Sequence, residues 1–109
     1  MRPVVKVYLY REEEKVFGEG PYRLLLGIER HASLRAAAKE MGMAYTKAFF
    51  ILKRAEEALG FPLTEKKVGG AGGGGSVLTA QAKEFLEKYE RYRARCAECC
   101  GALYLEIFS

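Results

Sequence analysis

The run from Ser33 to Leu59 constrains the fold more than any other part of the chain. Ser33 is a good helix cap, and Leu34-Arg35-Ala36-Ala37-Ala38-Lys39-Glu40-Met41 reads as a short alanine-rich helix whose small side chains let another helix approach closely. Gly42 breaks that helix, and Met43 supplies an apolar plug in the turn. A second helix is predicted from about Ala44 to Leu59, with Ala48, Ile51, Leu52, Ala55 and Leu59 recurring on one face. Two helices joined by so tight a turn form a helix-turn-helix. A purely structural helical hairpin shares this spacing, so the segment restricts the fold more than the function.

The outward face of the second helix adds chemistry. Tyr45, Thr46, Lys47, Phe50, Lys53 and Arg54 are not needed for the core. From a groove-bound helix, Tyr45 and Thr46 can hydrogen-bond or touch a thymine methyl, while Lys47, Lys53 and Arg54 suit phosphate or guanine. The plain alternative is a solvated charged face, against which the aromatics Tyr45 and Phe50 argue.

The glycine run at 69–75, taken alone, is compatible with a flexible linker. Its neighbours favour a different reading. Leu63-Thr64-Glu65-Lys66 and Ser76-Val77-Leu78-Thr79 read as two strands with the glycines as their turn, and a helix-turn-helix followed by such a hairpin is a winged helix. Glycine reaches positive φ and brings backbone N–H groups close to phosphates. The expected wing contacts are Lys66 and Lys67 on phosphates, with Gly70, Gly72, Gly73, Gly74 and Ser76 near the minor groove. The glycines are not followed by the Lys-Ser/Thr of a nucleotide-phosphate loop.

The flanks complete the architecture. Val4 to Tyr10 and Lys15-Val16-Phe17, around the charged turn at 11–14, suggest a short hairpin; a helix then begins at Gly20-Pro21, with Pro21 in its first position, and ends near His31. His31, near the helix C-terminus, is expected to compensate the helix dipole or to be solvated, and no catalytic role is expected for it, since no nucleophile or acid pairs with it by spacing. Thr79 caps a long final helix whose stripe includes Ala82, Phe85, Leu86, Tyr89, Tyr92, Cys96, Cys99, Leu103 and Ile107. One small domain would struggle to cover it. A homodimer seam through Phe85, Leu86, Tyr89, Tyr92, Cys96 and Leu103 is therefore expected; the alternative is an interruption at Gly101, after which 102–108 packs back on the N-terminal hairpin.

Composition sets the remaining bounds. The 109 residues suit one domain, and the net charge of +4 lies in residues 1–79, with 13 Lys and Arg against 9 Glu; residues 80–109 hold 5 of each sign. No apolar run approaches the roughly 20 residues that span a bilayer. The start lacks a signal peptide's apolar segment, so no membrane partner and a cytoplasmic location are expected. Cys96, Cys99 and Cys100 are too few and too clustered for a disulfide framework or a four-ligand zinc site. They read as a helix face, with a thiol or metal switch as the alternative. No metal, cofactor or enzymatic activity is expected, because no acid/base pair or nucleophile stands at useful spacing.

The run Ser33 to Tyr45, with Gly-Gly-x-Gly-Gly-Gly-Gly-Ser-Val-Leu-Thr at 69–79, closely resembles the N-terminal DNA-binding domain of ModE-type molybdate-responsive regulators and, more distantly, the winged helix of LysR-type regulators. The resemblance covers roughly residues 18–95. It implies a dimeric, sequence-specific transcriptional regulator that binds double-stranded operator DNA through the helix from Ala44 and the wing; Arg35 joins the DNA-facing set. Family members usually carry a polar cap where this chain has Ala44. Full-length members continue into oxyanion-binding domains, which have no place in this sequence, so molybdate sensing is not carried over. The expected fold is mainly α with small β: an N-terminal hairpin (1–18), a winged helix-turn-helix (20–79) and a dimerisation helix (80–108). A protein-interaction module and a thiol- or metal-responsive switch are the alternatives.

Overall fold

Side chains that cap, turn or pack locally set most element boundaries in the computed structural model, which describes residues 1–67 and 75–109. The order is β1 (Leu9–Arg11), β2 (Glu14–Phe17), α1 (Glu19–His31), α2 (Leu34–Glu40), α3 (Tyr45–Leu59), β3 (Thr64–Lys66), β4 (Ser76–Leu78) and α4 (Ala80–Phe108). This is a winged helix-turn-helix with a long C-terminal helix.

The Ser33 hydroxyl accepts from the Ala36 N–H at 3.0 Å and starts α2. Gly42 takes φ +69 in the turn, where the Met43 N–H bonds back to the Ala38 carbonyl at 3.0 Å. Ala44 offers α3 no side-chain cap. Ala48, Leu52, Ala55 and Ala58 are the buried residues of α3, whereas the expected core residues Ile51 and Leu59 are only partly covered. The expected helix start at Pro21 is corrected to Glu19, which puts Pro21 in the third position, where its missing N–H still costs no intrahelical bond.

Two features bind the helix pair into one body. Gly27 lies against Ala37 so closely that a Cβ there would stand 2.7 Å from the Ala37 Cβ. Phe17, Leu24, Leu25, Ile28 and Leu63 form the fully buried centre, drawn from β2, α1 and the approach to β3.

The N-terminal hairpin is shorter than its sequence suggests. β1 pairs antiparallel with β2 only from Leu9 to Arg11, with an irregularity between Leu9 and Tyr10. The four residues of β2 end at Phe17, and the chain enters α1 from Gly18, so 4–8 have no strand to pair with. β3 and β4 pair antiparallel in the register Thr64–Leu78, Glu65–Val77 and Lys66–Ser76.

Thr79 joins the wing to α4. Its hydroxyl accepts from the Ala82 N–H at 3.0 Å and donates to the Pro62 carbonyl at 2.7 Å. The helix then runs unbroken through Gly101 to Phe108, contrary to the expected interruption. Its first half packs on the body: the Phe17 ring meets Phe85 and Tyr89 edge-on at 4.8 and 4.9 Å. The Tyr89 hydroxyl donates to the Val7 carbonyl at 2.7 Å, and Arg93 grips Glu19 of α1 with two hydrogen bonds of 2.8 and 3.0 Å. Beyond Arg93 the helix meets the chain start, where Tyr104 donates to the Met1 carbonyl at 3.2 Å.

Candidate nucleic-acid interface

With successive side chains about 100° apart, burial of Ala48, Leu52 and Ala55 turns Thr46, Phe50 and Lys53 to the opposite side of α3. All three are exposed. Tyr45 and Phe49 form the flank toward α2, where the Arg35 guanidinium lies 4.5 Å from the Tyr45 ring centroid. The Phe49 ring sits 6.4 Å from Tyr45 and 6.0 Å from Phe50, and the Lys53 ammonium stands 5.6 Å from it. Phe49 is absent from the sequence-derived set. Its signal was the i, i+4 spacing from Tyr45, which places Tyr45 and Phe49 on one flank of the helix, with Phe50 the next residue round.

The wing approaches the same end of α3. Ser33, Leu34, Arg35, Tyr45, Lys66, Lys67, Gly75 and Ser76 line an open concavity of about 560 Å³. Its position is fixed by a backbone contact that sequence patterning does not reveal. The Ser76 N–H donates to the Ala32 carbonyl at 2.9 Å, and Ala32 adopts φ +52 after the end of α1. A Cβ on Gly75 would stand 2.8 Å from that carbonyl oxygen, so glycine is required there for close approach. The Lys67 N–H then bonds the Gly75 carbonyl at 3.0 Å. Gly70, Gly72, Gly73 and Gly74 lie outside the described residues.

Not every residue of the expected set converges here. Arg54 lines a different cleft of about 310 Å³ with Lys15, Phe17, Pro21 and Ile51, on the side of the N-terminal hairpin. Lys47 projects toward that flank as well, since seven residues make nearly two helical turns. Lys53 shares its charge with Glu56 at 3.4 Å. Arg35, Tyr45, Lys66, Lys67 and Ser76 are thus brought together, while Arg54 stands apart.

Ion pairs brace the frame behind this surface. Glu40 at the end of α2 bonds His31 at 2.8 Å and also Arg30, tying α2 to the last turn of α1. The hydrogen bond from His31, followed by that from Arg30, holds the Glu40 carboxyl below the usual carboxylate range. On the opposite side, the hydrogen bond from Arg93 lowers Glu19, with burial opposing it. Burial, reinforced by the Glu19 charge, pushes the Tyr89 phenol up and keeps it protonated.

The chain matches proteins of one kind over most of its length. It is 33% identical over 75 residues to the molybdenum-pterin-binding protein MopB of Rhodobacter capsulatus, covering 69% of this chain and 28% of that protein. It is 35% identical to the transcriptional regulator ModE of Haemophilus influenzae, covering 62% of this chain and 27% of the relative. With the DNA-binding transcriptional dual regulator ModE of Escherichia coli the identity is 31%, over 72% of this chain and 30% of the relative. This chain carries a ModE-type domain. No protein-family model matches it. The match spans less than a third of the length of these relatives.

The expected dimer seam of this ModE-type domain needs one correction. Leu86 and Tyr89 are buried in the protomer's own core, and Phe85 packs on Phe17 and Phe61, so these three are already used within one chain. Tyr92 and Leu103 remain on the surface at 55% and 53% exposure, and Cys96 is half-buried between them. Cys96, Cys99 and Cys100 are unpaired thiols; with Leu103, Tyr104 and Ile107 they line an open apolar surface on the far half of α4. Among the described residues, no three His, Cys, Asp or Glu side chains gather around a metal position, and no helix is long and apolar enough to cross a membrane.

Proposed function

We propose that residues 1–109 form the sequence-specific DNA-binding domain of a transcriptional regulator, acting as a homodimer on double-stranded DNA. The observation that carries this is the joining of two independent surfaces at one end of α3. The exposed Thr46–Phe50–Lys53 face begins next in sequence to Tyr45, which lines the basic concavity with Arg35, Lys66 and Lys67. A groove-bound helix needs base-reading side chains at its N-terminal half and cations on either side for the phosphates. In this reading α3 enters the major groove, and Arg35, Lys47, Lys66 and Lys67 contact the backbone. The names of the relatives from Haemophilus influenzae and Escherichia coli agree with a role in transcription.

Dimerisation is assigned to the far half of α4, through Tyr92, Cys96 and Leu103. An uncovered apolar stripe on a helix projecting from its own body is stabilised when a second copy covers it. Such a pair presents two recognition helices to one duplex, about 34 Å or a multiple of that apart. Selection from a random duplex pool with the whole chain tests both halves of the proposal. Enrichment of a two-fold symmetric site is the expected result. Failure to enrich any duplex at low salt would refute DNA binding, and a site with no symmetry would refute the dimer.

A further inference from the structure

Phe50 has no structural employment that accounts for it. It is 64% exposed, the most exposed of the three aromatics on α3, and it stands on the side opposite Ala48, Leu52 and Ala55. Its ring meets that of Phe49 edge-on at 6.0 Å, which limits where it can swing without burying it. Around it are Thr46 one turn earlier and Lys53 one turn later, all within about 60° of the helix circumference. An apolar surface is therefore centred on the face that would enter the groove, with cations on its borders.

The major groove offers hydrogen-bonding atoms at nearly every base edge, and a phenyl ring satisfies none of them. Placed over a guanine O6 or a cytosine amino group, it would strip water without replacing it. The one apolar feature of the groove floor is the C5-methyl group of thymine. Building on the DNA-binding reading above, we infer that Phe50 is a specificity-determining residue that reads thymine through this methyl group. Phe49 holds the ring on edge, and Lys53 contacts the adjacent phosphate.

Replacing thymine with deoxyuridine tests this, because it removes only the methyl and leaves Watson–Crick pairing intact. The duplex enriched from the random pool is remade with each thymine changed singly to deoxyuridine. Dissociation constants are then measured for the parent chain, Phe50→Ala and Lys53→Ala. The unaltered protein should bind about fourfold more weakly at one or two positions per half-site, the size expected for one buried methyl group. Phe50→Ala should bind the thymine and deoxyuridine duplexes equally at those positions. Lys53→Ala should weaken both while preserving their ratio.

If no position discriminates, or if Phe50→Ala retains the full fourfold ratio, the inference is overturned while DNA binding stands. If no duplex is enriched at all, the DNA-binding reading fails and takes this inference with it. Phe50 is exposed, so its replacement leaves the core intact, and unchanged circular dichroism of the variant verifies this.

Discussion

Gly27 in α1 and Gly101 in α4 are both interior to helices, yet the same substitution to alanine should shift stability in opposite directions. Alanine is favoured over glycine in a helix by about 0.8–1 kcal/mol. At Gly101 the added methyl meets open space, so the gain is realised and Gly101→Ala should raise the unfolding free energy by about 1 kcal/mol. At Gly27 the methyl would stand 2.7 Å from the Ala37 Cβ and 3.1 Å from the Ala37 Cα. Carbon pairs are most favourable at about 3.5–4.0 Å, so α1 and α2 must part by roughly an ångström. Ala37 is buried and has no rotamer to yield, which leaves only backbone movement. Overpacking of this kind costs about 1–3 kcal/mol, so after the propensity gain Gly27→Ala should be about 1 kcal/mol less stable than the parent. Urea denaturation of both variants should separate them by about 2 kcal/mol at unchanged m-value. Adding Ala37→Gly removes the Cβ–Cβ collision, and the double-mutant cycle should show a favourable coupling of about 1 kcal/mol. If Gly27→Ala proves as stabilising as Gly101→Ala, or if the coupling is zero, the close α1–α2 crossing that positions α3 is wrong.

Other expected outcomes concern the interface and the ion pairs. Lys66→Ala combined with Lys67→Ala should lower the slope of log affinity against log salt by about 1.8, or about 0.9 for each lost phosphate contact, in anisotropy titrations. Ser33→Ala removes the α2 cap and should cost about 1 kcal/mol in chemical denaturation. The Glu19 carboxyl is lowered in the folded state, so its contribution is full above the unfolded value and is lost as pH falls through the folded one. The stability advantage of the parent over Glu19→Gln should therefore hold at neutral pH and shrink below the ordinary carboxylate value of 4.5. Leu103→Glu should reduce the dimer fraction in sedimentation velocity without changing the melting of the monomer core, whereas an unchanged dimer would exclude this seam.

Local chemistry made a large part of this protein legible. Ser33, Gly42 and Thr79 act within a few residues of themselves, through a cap, a positive φ and another cap, so the boundaries they set follow from sequence. The alternation of the glycine run with strand formers likewise gave β3 and β4, and helical periodicity gave α3 and its outward face. Tertiary structure decided matters that depend on what lies across a gap. Periodicity groups Phe85, Leu86 and Tyr89 with Tyr92 and Leu103, and only the placement of Phe17 and Val7 separates core from free surface. It also divides Arg54, on the flank of α3 toward the N-terminal hairpin, from Arg35 of α2, so that the two border different clefts. The placement of the wing rests on Gly75 and Ser76 meeting the Ala32 carbonyl some forty residues away in sequence, a backbone contact that leaves no side-chain pattern to read. Capping and turn preferences are local, so most element boundaries can be read along the chain; the partners of those elements were set by packing, which depends on distances that no spacing along the chain records.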